Sequence, residues 1–146
     1  MQAARSEVDS YAGDVSPSEA WTKLQSDPAA LLIDVRTKPE WGFVGTADLS
    51  AVSKSPLLIS WQVYPEMTVN PQFADELRAK GAAPGQPLFF LCRSGARSRA
   101  AAIAMTAAGL GPCYNIAGGF EGDMDGAKQR GRVNGWKAAG LAWSQS

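Results

Sequence analysis

Residues 88–99, LFFLCRSGARSR, decide both the fold and the chemistry that this chain can support. The apolar run at 88–91 predicts a short strand that is buried on both faces, as in a parallel sheet. The strand ends at Cys92, a small glycine-containing loop follows, and an alanine-rich helix is predicted over residues 98–108. This order places a thiol at the carboxyl end of a strand, facing backbone N–H groups and the positive end of a helix dipole.

The loop after the cysteine is typical of a site where a reactive sulfur meets an anion. Three arginines lie within seven residues of the sulfur, the last being Arg99. Positive surroundings of this kind favour the thiolate, which is the nucleophilic form of cysteine. The residues between the arginines are small, so successive N–H groups can turn toward one centre. We predict Cys92 as the nucleophile, and an active-site and anion-binding loop formed by Arg93, Ser94, Gly95, Ala96, Arg97 and Ser98.

The composition excludes several classes of protein. The 146 residues fit one domain, and 14 Lys and Arg balance 14 Asp and Glu, so no overall charge favours nucleic acid or a membrane surface. The chain has no histidine, which excludes Cys–His and Ser–His hydrolases and histidine metal sites. We predict no metal, no cofactor, no nucleic acid and no membrane partner.

The second cysteine and the N-terminal residues bear on localisation. Cys113 opens the next predicted strand while Cys92 closes the previous one, so parallel neighbours would hold the sulfurs about 10–15 Å apart, too far for a disulfide. Cys113 is therefore predicted to be a buried core thiol.

Residues 1–11 are polar and lack the apolar segment of a signal peptide. We predict a cytoplasmic protein with an N-terminal arm at 1–14 and one domain at 15–146.

Strands and helices alternate along the rest of the chain. Ser16-Pro17-Ser18-Glu19 has the pattern of a helix start with a capping box, and the helix is predicted to end near residue 26. Strands are predicted at 31–35, 57–61, 88–91 and 113–116, and further helices at 70–80, 98–108 and 135–139. The alternation predicts an α/β fold, a mostly parallel sheet with helices on both faces. Residues 118–135 are predicted to form a surface excursion.

Several motifs together carry a resemblance to a known family. They are the strand end Leu31-Leu32-Ile33-Asp34-Val35-Arg36, the pair Glu40-Trp41, the loop at 92–98, the segment Asn115-Ile116-Ala117-Gly118-Gly119, and the pairs Gly135-Trp136 and Gly140-Leu141. With these motifs, residues 15–143 resemble a single-domain rhodanese, of the sulfurtransferase family. The resemblance implies a rhodanese-like doubly wound sheet and a double-displacement reaction in which the loop cysteine becomes a persulfide. It also implies loop-supporting roles for Asp34, Arg36 and Glu40.

The function expected from the resemblance is sulfur transfer. A small anionic sulfur donor such as thiosulfate would load Cys92, and cyanide, a thiol or a partner protein would accept the sulfur. A persulfide carrier for a partner protein is the first alternative. A cysteine-dependent phosphatase or arsenate reductase is the second, less favoured because those enzymes use Cys-x5-Arg. Here Ser98 stands at the sixth position after the cysteine, and Arg97 falls at the fifth.

Overall fold

The structure is a computed structural model, and it describes residues 10–63, 66–130 and 134–144. The strands are β1 (Gly13–Val15), β2 (Leu31–Asp34), β3 (Thr46–Ala47), β4 (Leu57–Leu58), β5 (Gln62–Val63), β6 (Thr68–Val69), β7 (Leu88–Leu91), β8 (Cys113–Ile116) and β9 (Trp143–Ser144). The helices are α1 (Pro17–Ser26), α2 (Lys38–Val44), α3 (Phe73–Ala79), α4 (Ala96–Ala107) and α5 (Gly135–Ala138), with a 3-10 turn at Ser50–Val52.

A five-stranded parallel sheet in the order β1-β8-β7-β2-β4 forms the centre of the fold. Strand β7 lies in the middle, so the residue that follows it stands at the centre of the sheet's carboxyl edge. Ligands of parallel α/β sheets bind beyond this edge. The arm predicted at 1–14 lies mostly outside the described residues, and its last two residues, Gly13 and Asp14, belong to β1.

Both faces of the sheet are covered, because alternate residues of the buried strands point to opposite sides. Phe90 and Ile33 pack with α3 and α4 in one core, and Phe89 and Leu32 pack with α1 and Trp136 of α5 in the other. The chain therefore has the doubly wound architecture that the sequence predicts. Within the described residues, no helix is both long enough and apolar enough to span a bilayer.

The observed starts of α1 and α3 can be compared with the starts predicted from their capping residues. The Ser16 hydroxyl accepts from the Glu19 amide and the Glu19 carboxylate accepts from the Ser16 amide, so the predicted capping box is confirmed. The prediction for α3 is wrong at its start, which is Phe73 and not residue 70. The Asn70 side chain accepts from the Gln72 amide and so holds an Asx turn before the helix.

Two other boundaries differ from the predictions by two residues or more, and the remaining ones differ by at most one. Helix α4 begins at Ala96, two residues earlier than predicted, which brings its first turn closer to Cys92. Strand β4 ends at Leu58 and does not reach residue 61, although the Ile59 and Trp61 amides still donate to carbonyls of residues 34 and 35. The predicted excursion at 118–135 is a series of turns in the described residues.

Candidate active site

Cys92 lies at the end of β7 and directly before the loop that opens α4. The side chain is only 1% exposed. Two polar groups contact its sulfur: the backbone amide of Gly95, which donates to it, and the hydroxyl of Ser98, each 3.1 Å from Sγ. Among the described residues, one direct amide contact stands where the sequence predicts a ring of several. Ser94 is half-buried in the loop, and Ala96 is the exposed first residue of α4.

Gly95 gives the loop its sharp turn into the helix. Its φ of 124° lies in a region that residues with a side chain rarely adopt. An added Cβ would meet no atom closer than 3.8 Å, so backbone conformation, not space, requires glycine here. The turn aims the Gly95 amide at the sulfur and begins α4 at the next residue.

The carbonyl groups of the loop are held from the other side by the turn after β8. The Phe120 amide donates to the Cys92 carbonyl at 2.7 Å, and the Glu121 and Gly122 amides donate to the Arg93 carbonyl. Because these carbonyls are satisfied by the turn, the loop can direct N–H groups toward the sulfur. The approach is close enough that a Cβ on Gly119 would collide with the Cys92 and Arg93 backbone.

Arg97 is engaged by a carboxylate and does not point freely into the site. Its two terminal nitrogens donate to the two Glu40 oxygens at 2.7 and 2.9 Å, and both side chains are about one-fifth exposed (19% and 20%). The hydrogen bonds that Arg97 donates to Glu40 raise the pKa of Arg97 above its ordinary value. Burial acts to raise the pKa of Glu40, but Arg97 and two hydrogen bonds from Thr37 outweigh it and lower that pKa to about 2.

This pair predicts a pH dependence of stability. The pKa of Glu40 is lower in the folded protein than its ordinary 4.5, so the pair stabilises the fold fully above that value. The contribution is lost as the pH falls toward about 2. Urea unfolding of the wild type and of Glu40→Gln should differ by about 1 kcal/mol at neutral pH, a figure reduced for the partial exposure of the pair. The difference should shrink in acid; one that stays constant would contradict the assignment.

Asp34 and Arg36 form a second pair that is fully buried. Arg36 donates to both Asp34 oxygens, at 2.7 Å for the shortest contact, and its Nη2 also donates to the Gly45 carbonyl at 2.6 Å. The guanidinium lies over the ring of Phe120, 4.3 Å from its centroid. The pair thus joins the end of β2 to the end of α2 and to the turn at residues 119–122. That turn supports residues 92–98, called the sulfur loop below. Asp34 and Arg36 thus contact the segments that surround the site, which is where loop-supporting residues are expected.

The other two arginines of the loop face different surroundings. Arg99 points away from the sulfur and donates to the Tyr11 hydroxyl at 3.2 Å. Arg93 is exposed, and its side chain has no partner among the residues that the structure describes. Of the three arginines, Arg93 is therefore the one whose charge is available to a bound anion.

Asn115 is a site residue for which the sequence analysis gave no role. It lies in β8, is 5% exposed, and its Oδ1 is 2.6 Å from the Ser98 hydroxyl oxygen. A polar residue inside an otherwise apolar buried strand needs a hydrogen-bond partner, and this is the signal that marks it in the sequence.

Cys113 is a buried thiol of the core, as predicted. It pairs in register with Leu88, four residues before Cys92, so the two cysteines lie about 13 Å apart along the strands. Both are free. Burial raises the pKa of the Cys113 thiol, and a hydrogen bond with Thr106 opposes this only in part. A raised pKa keeps the thiol protonated and poorly reactive.

These features define a class of site: a buried cysteine beside an amide donor and a hydroxyl group, at the carboxyl edge of a parallel sheet, with an exposed arginine next to it. The Rhodanese-like domain family matches residues 16–124. The chain belongs to this family, which confirms the predicted resemblance. The match covers the sulfur loop and both pairs that support it.

The chain is also similar to individual proteins. The chain is 44% identical to Rv0390 from M. tuberculosis, whose crystal structure superposes with a TM-score of 0.85 over 94% of this chain and all of that one. It is 38% identical to "uncharacterized protein RP600 homolog" of Rickettsia rickettsii, over 89% of this chain and 95% of that protein. A polysulfide-sulfur transferase homodimer from Wolinella succinogenes shares the fold, with a TM-score of 0.63, 23% identity, and coverage of 99% and 85%.

Proposed function

We propose that the protein is a sulfurtransferase that moves a sulfane sulfur from a small anionic donor, such as thiosulfate, to a thiophilic acceptor through a Cys92 persulfide. The observation that carries the proposal is the environment of the sulfur, with the Gly95 amide and the Ser98 hydroxyl both 3.1 Å from Sγ. The Gly95 amide donates to the sulfur, and the Ser98 hydroxyl can donate to it once it is charged. Such donors stabilise negative charge on the sulfur, and the twelve-residue helix α4 adds the positive end of its dipole.

In the first half-reaction the Cys92 thiolate attacks the outer sulfur of thiosulfate. A new S–S bond forms, the S–S bond within thiosulfate breaks, and sulfite leaves with the bonding electron pair. In the second half-reaction a nucleophile such as cyanide attacks the terminal sulfur of the persulfide. Thiocyanate leaves, the Cys92 thiolate is restored, and no external oxidant or reductant is consumed.

The loop's amides have a distinct role at the persulfide stage. The terminal sulfur of a persulfide extends beyond Sγ, so it would lie nearer to the other N–H groups of the loop than Sγ does. The carbonyls of Cys92 and Arg93 are held by the turn at 119–122, so they do not face the site as competing acceptors.

We propose that the protein is cytoplasmic. The reaction needs a reduced thiol, and the cytoplasm keeps cysteines from forming disulfides.

A phosphatase reaction fits the site less well. In Cys-x5-Arg enzymes the arginine at the end of the loop clamps the phosphoryl group, and its nearest equivalent here, Arg97, is bound through both terminal nitrogens to Glu40. A leaving group would also need a proton donor, and the candidate carboxyl group, Asp34, is fully buried and paired with Arg36.

The proposal is tested by the intact mass of the wild-type protein after treatment with thiosulfate and removal of the excess. We expect a gain of one sulfur atom, lost again on addition of cyanide with release of thiocyanate. Absence of the gain with both thiosulfate and polysulfide would refute the proposal. Hydrolysis of p-nitrophenyl phosphate without sulfur loading would favour the phosphatase instead.

Arg93 is expected to bind the anionic donor. Arg93→Ala should raise the KM for thiosulfate about tenfold, because a charge contact at the rim binds the ground state and the transition state alike. Steady-state thiocyanate formation measures this, with Arg93→Lys expected between the two. Arg78→Ala, on the exposed side of α3, is the control. An unchanged KM in Arg93→Ala would contradict this role.

A further inference from the structure

A chain of hydrogen bonds runs from the reactive sulfur to the edge strand β1. The Ser98 hydroxyl oxygen lies 3.1 Å from Cys92 Sγ and 2.6 Å from Asn115 Oδ1. On the other side, Asn115 Nδ2 donates to Asp14 Oδ1 at 3.0 Å. The Tyr11 hydroxyl donates to the same Asp14 oxygen at 2.9 Å. Ser98 and Asn115 are buried, while Asp14 is exposed.

Asp14 fixes which way the Asn115 amide faces. An ionised carboxylate only accepts hydrogen bonds, so it requires the NH2 group of Asn115 on its side. The reversed amide would set its oxygen against the carboxylate oxygen, two acceptors facing each other. With the NH2 group held by Asp14, the carbonyl oxygen of Asn115 must face Ser98.

The Ser98 hydroxyl has one proton and three acceptors within reach. They are Asn115 Oδ1 at 2.6 Å, Cys92 Sγ at 3.1 Å and the Gly95 carbonyl at 3.2 Å. The shortest contact is to Asn115, and an amide oxygen is a stronger acceptor than a thiol sulfur. In the resting protein the proton therefore points to Asn115, and the Ser98 oxygen presents a lone pair to Cys92, suited to accept from a thiol S–H.

We propose that Asp14 is a positioning residue that, through Asn115, withholds the Ser98 hydroxyl proton from the Cys92 sulfur until that sulfur is charged. When Cys92 is a thiolate or persulfide, the hydroxyl rotates to donate to it, and the proton stays on Ser98 throughout. The Asp14–Asn115 pair thus makes the resting thiol less reactive. The inference rests on the proposed function only in taking Cys92 as the reacting sulfur.

The test is the rate at which iodoacetamide alkylates Cys92 at neutral pH, with the modified residue located by peptide mass mapping. In Asp14→Ala the Asn115 amide is free to turn its NH2 group to Ser98, which releases the hydroxyl proton to the sulfur. We expect alkylation about fivefold faster than in the wild type, the effect of one hydrogen bond. A structural loosening would also speed alkylation by exposing the buried Cys92, so the gain must appear with an unchanged midpoint of urea unfolding.

Asp14→Asn is the matched variant, because it keeps an oxygen acceptor for the Asn115 NH2 group, removes the charge and replaces the other oxygen with an NH2 group. We expect its alkylation rate within about twofold of the wild type. An Asp14→Ala rate at or below that of the wild type would overturn the proposal. So would an Asp14→Asn rate as high as that of Asp14→Ala, since the effect would then come from charge alone.

Hydrogen exchange of the Asn115 side chain, followed spectroscopically, tests the link between Asp14 and Asn115 independently of alkylation. The side-chain amide protons of Asn115 should exchange slowly with solvent in the wild type and Asp14→Asn, and faster in Asp14→Ala. Equal exchange in all three proteins would also overturn the proposal. Failure of the wild type to load sulfur from thiosulfate would refute the proposed function, yet leave these comparisons of alkylation and exchange intact.

Discussion

Cys92→Ser should abolish sulfur loading and turnover, with a loss of at least about a thousandfold in thiocyanate formation. A hydroxyl in place of the thiol keeps the size of the side chain and the contact with the Gly95 amide, but it cannot become a persulfide. The measurements are intact mass after thiosulfate treatment and steady-state thiocyanate formation. The mass gain should appear in the wild type and not in the variant.

The second cysteine supplies the control for this experiment. Cys113→Ser leaves the sulfur loop untouched, because Cys113 stands at the opposite end of the neighbouring strand. It should still gain one sulfur atom. If Cys92→Ser gained sulfur and Cys113→Ser did not, the assignment of the nucleophile would be reversed.

Asp34→Ala should destabilise the protein by about 3–5 kcal/mol, because it leaves the Arg36 charge buried without its partner. Both side chains are 0% exposed, so water cannot replace the lost carboxylate. Arg36 also holds the Gly45 carbonyl, so the end of α2 should loosen with it. Urea unfolding at neutral pH, followed by far-UV circular dichroism, measures the change in the free energy of unfolding.

A surface pair in the same chain is the matched control. Arg78 and Asp75 are 47% and 84% exposed and 3.7 Å apart, so Asp75→Ala should change the free energy of unfolding by less than about 0.5 kcal/mol. The double variant Asp34→Leu with Arg36→Met should recover most of the loss, since two apolar side chains leave no buried charge. A loss below about 1 kcal/mol in Asp34→Ala would show that the pair does not hold the frame of the site.

Local signals were sufficient for the parts of the fold that depend on neighbours in sequence. The capping box of Ser16 and Glu19 fixes the start of α1, an unbroken apolar run marks β7, and an apolar run interrupted only by Asn115 marks β8. The start of α3 was missed because the Asn70 side chain bonds to the Gln72 amide and not to a helical amide further on. Such competition between an Asx turn and a helix cap is decided by geometry that the pattern does not contain.

The candidate site likewise has one part that the sequence predicts and one part that only the folded structure shows. The position of Cys92 and the small residues of its loop follow from sequence, because strand, loop and helix are contiguous. The partner of Arg97 does not, since Glu40 lies 57 residues away and only the folded sheet brings the two together. For the same reason the sequence could not show that Arg97 is occupied while Arg93 is free, or that Asn115 reaches Ser98.

The segment beyond the turn at 119–122 is closed at its base. The Asn134 side chain accepts from the Asp123 amide and donates to the Asp123 carboxylate, and the Trp136 amide donates to the Gly119 carbonyl. These contacts close the segment without involving the residues between Asp123 and Asn134. Lengthening a closed loop raises the entropic cost of closing it only slowly. This makes the exposed residues 126–129 a permissive place to graft an affinity tag or a fluorescent reporter.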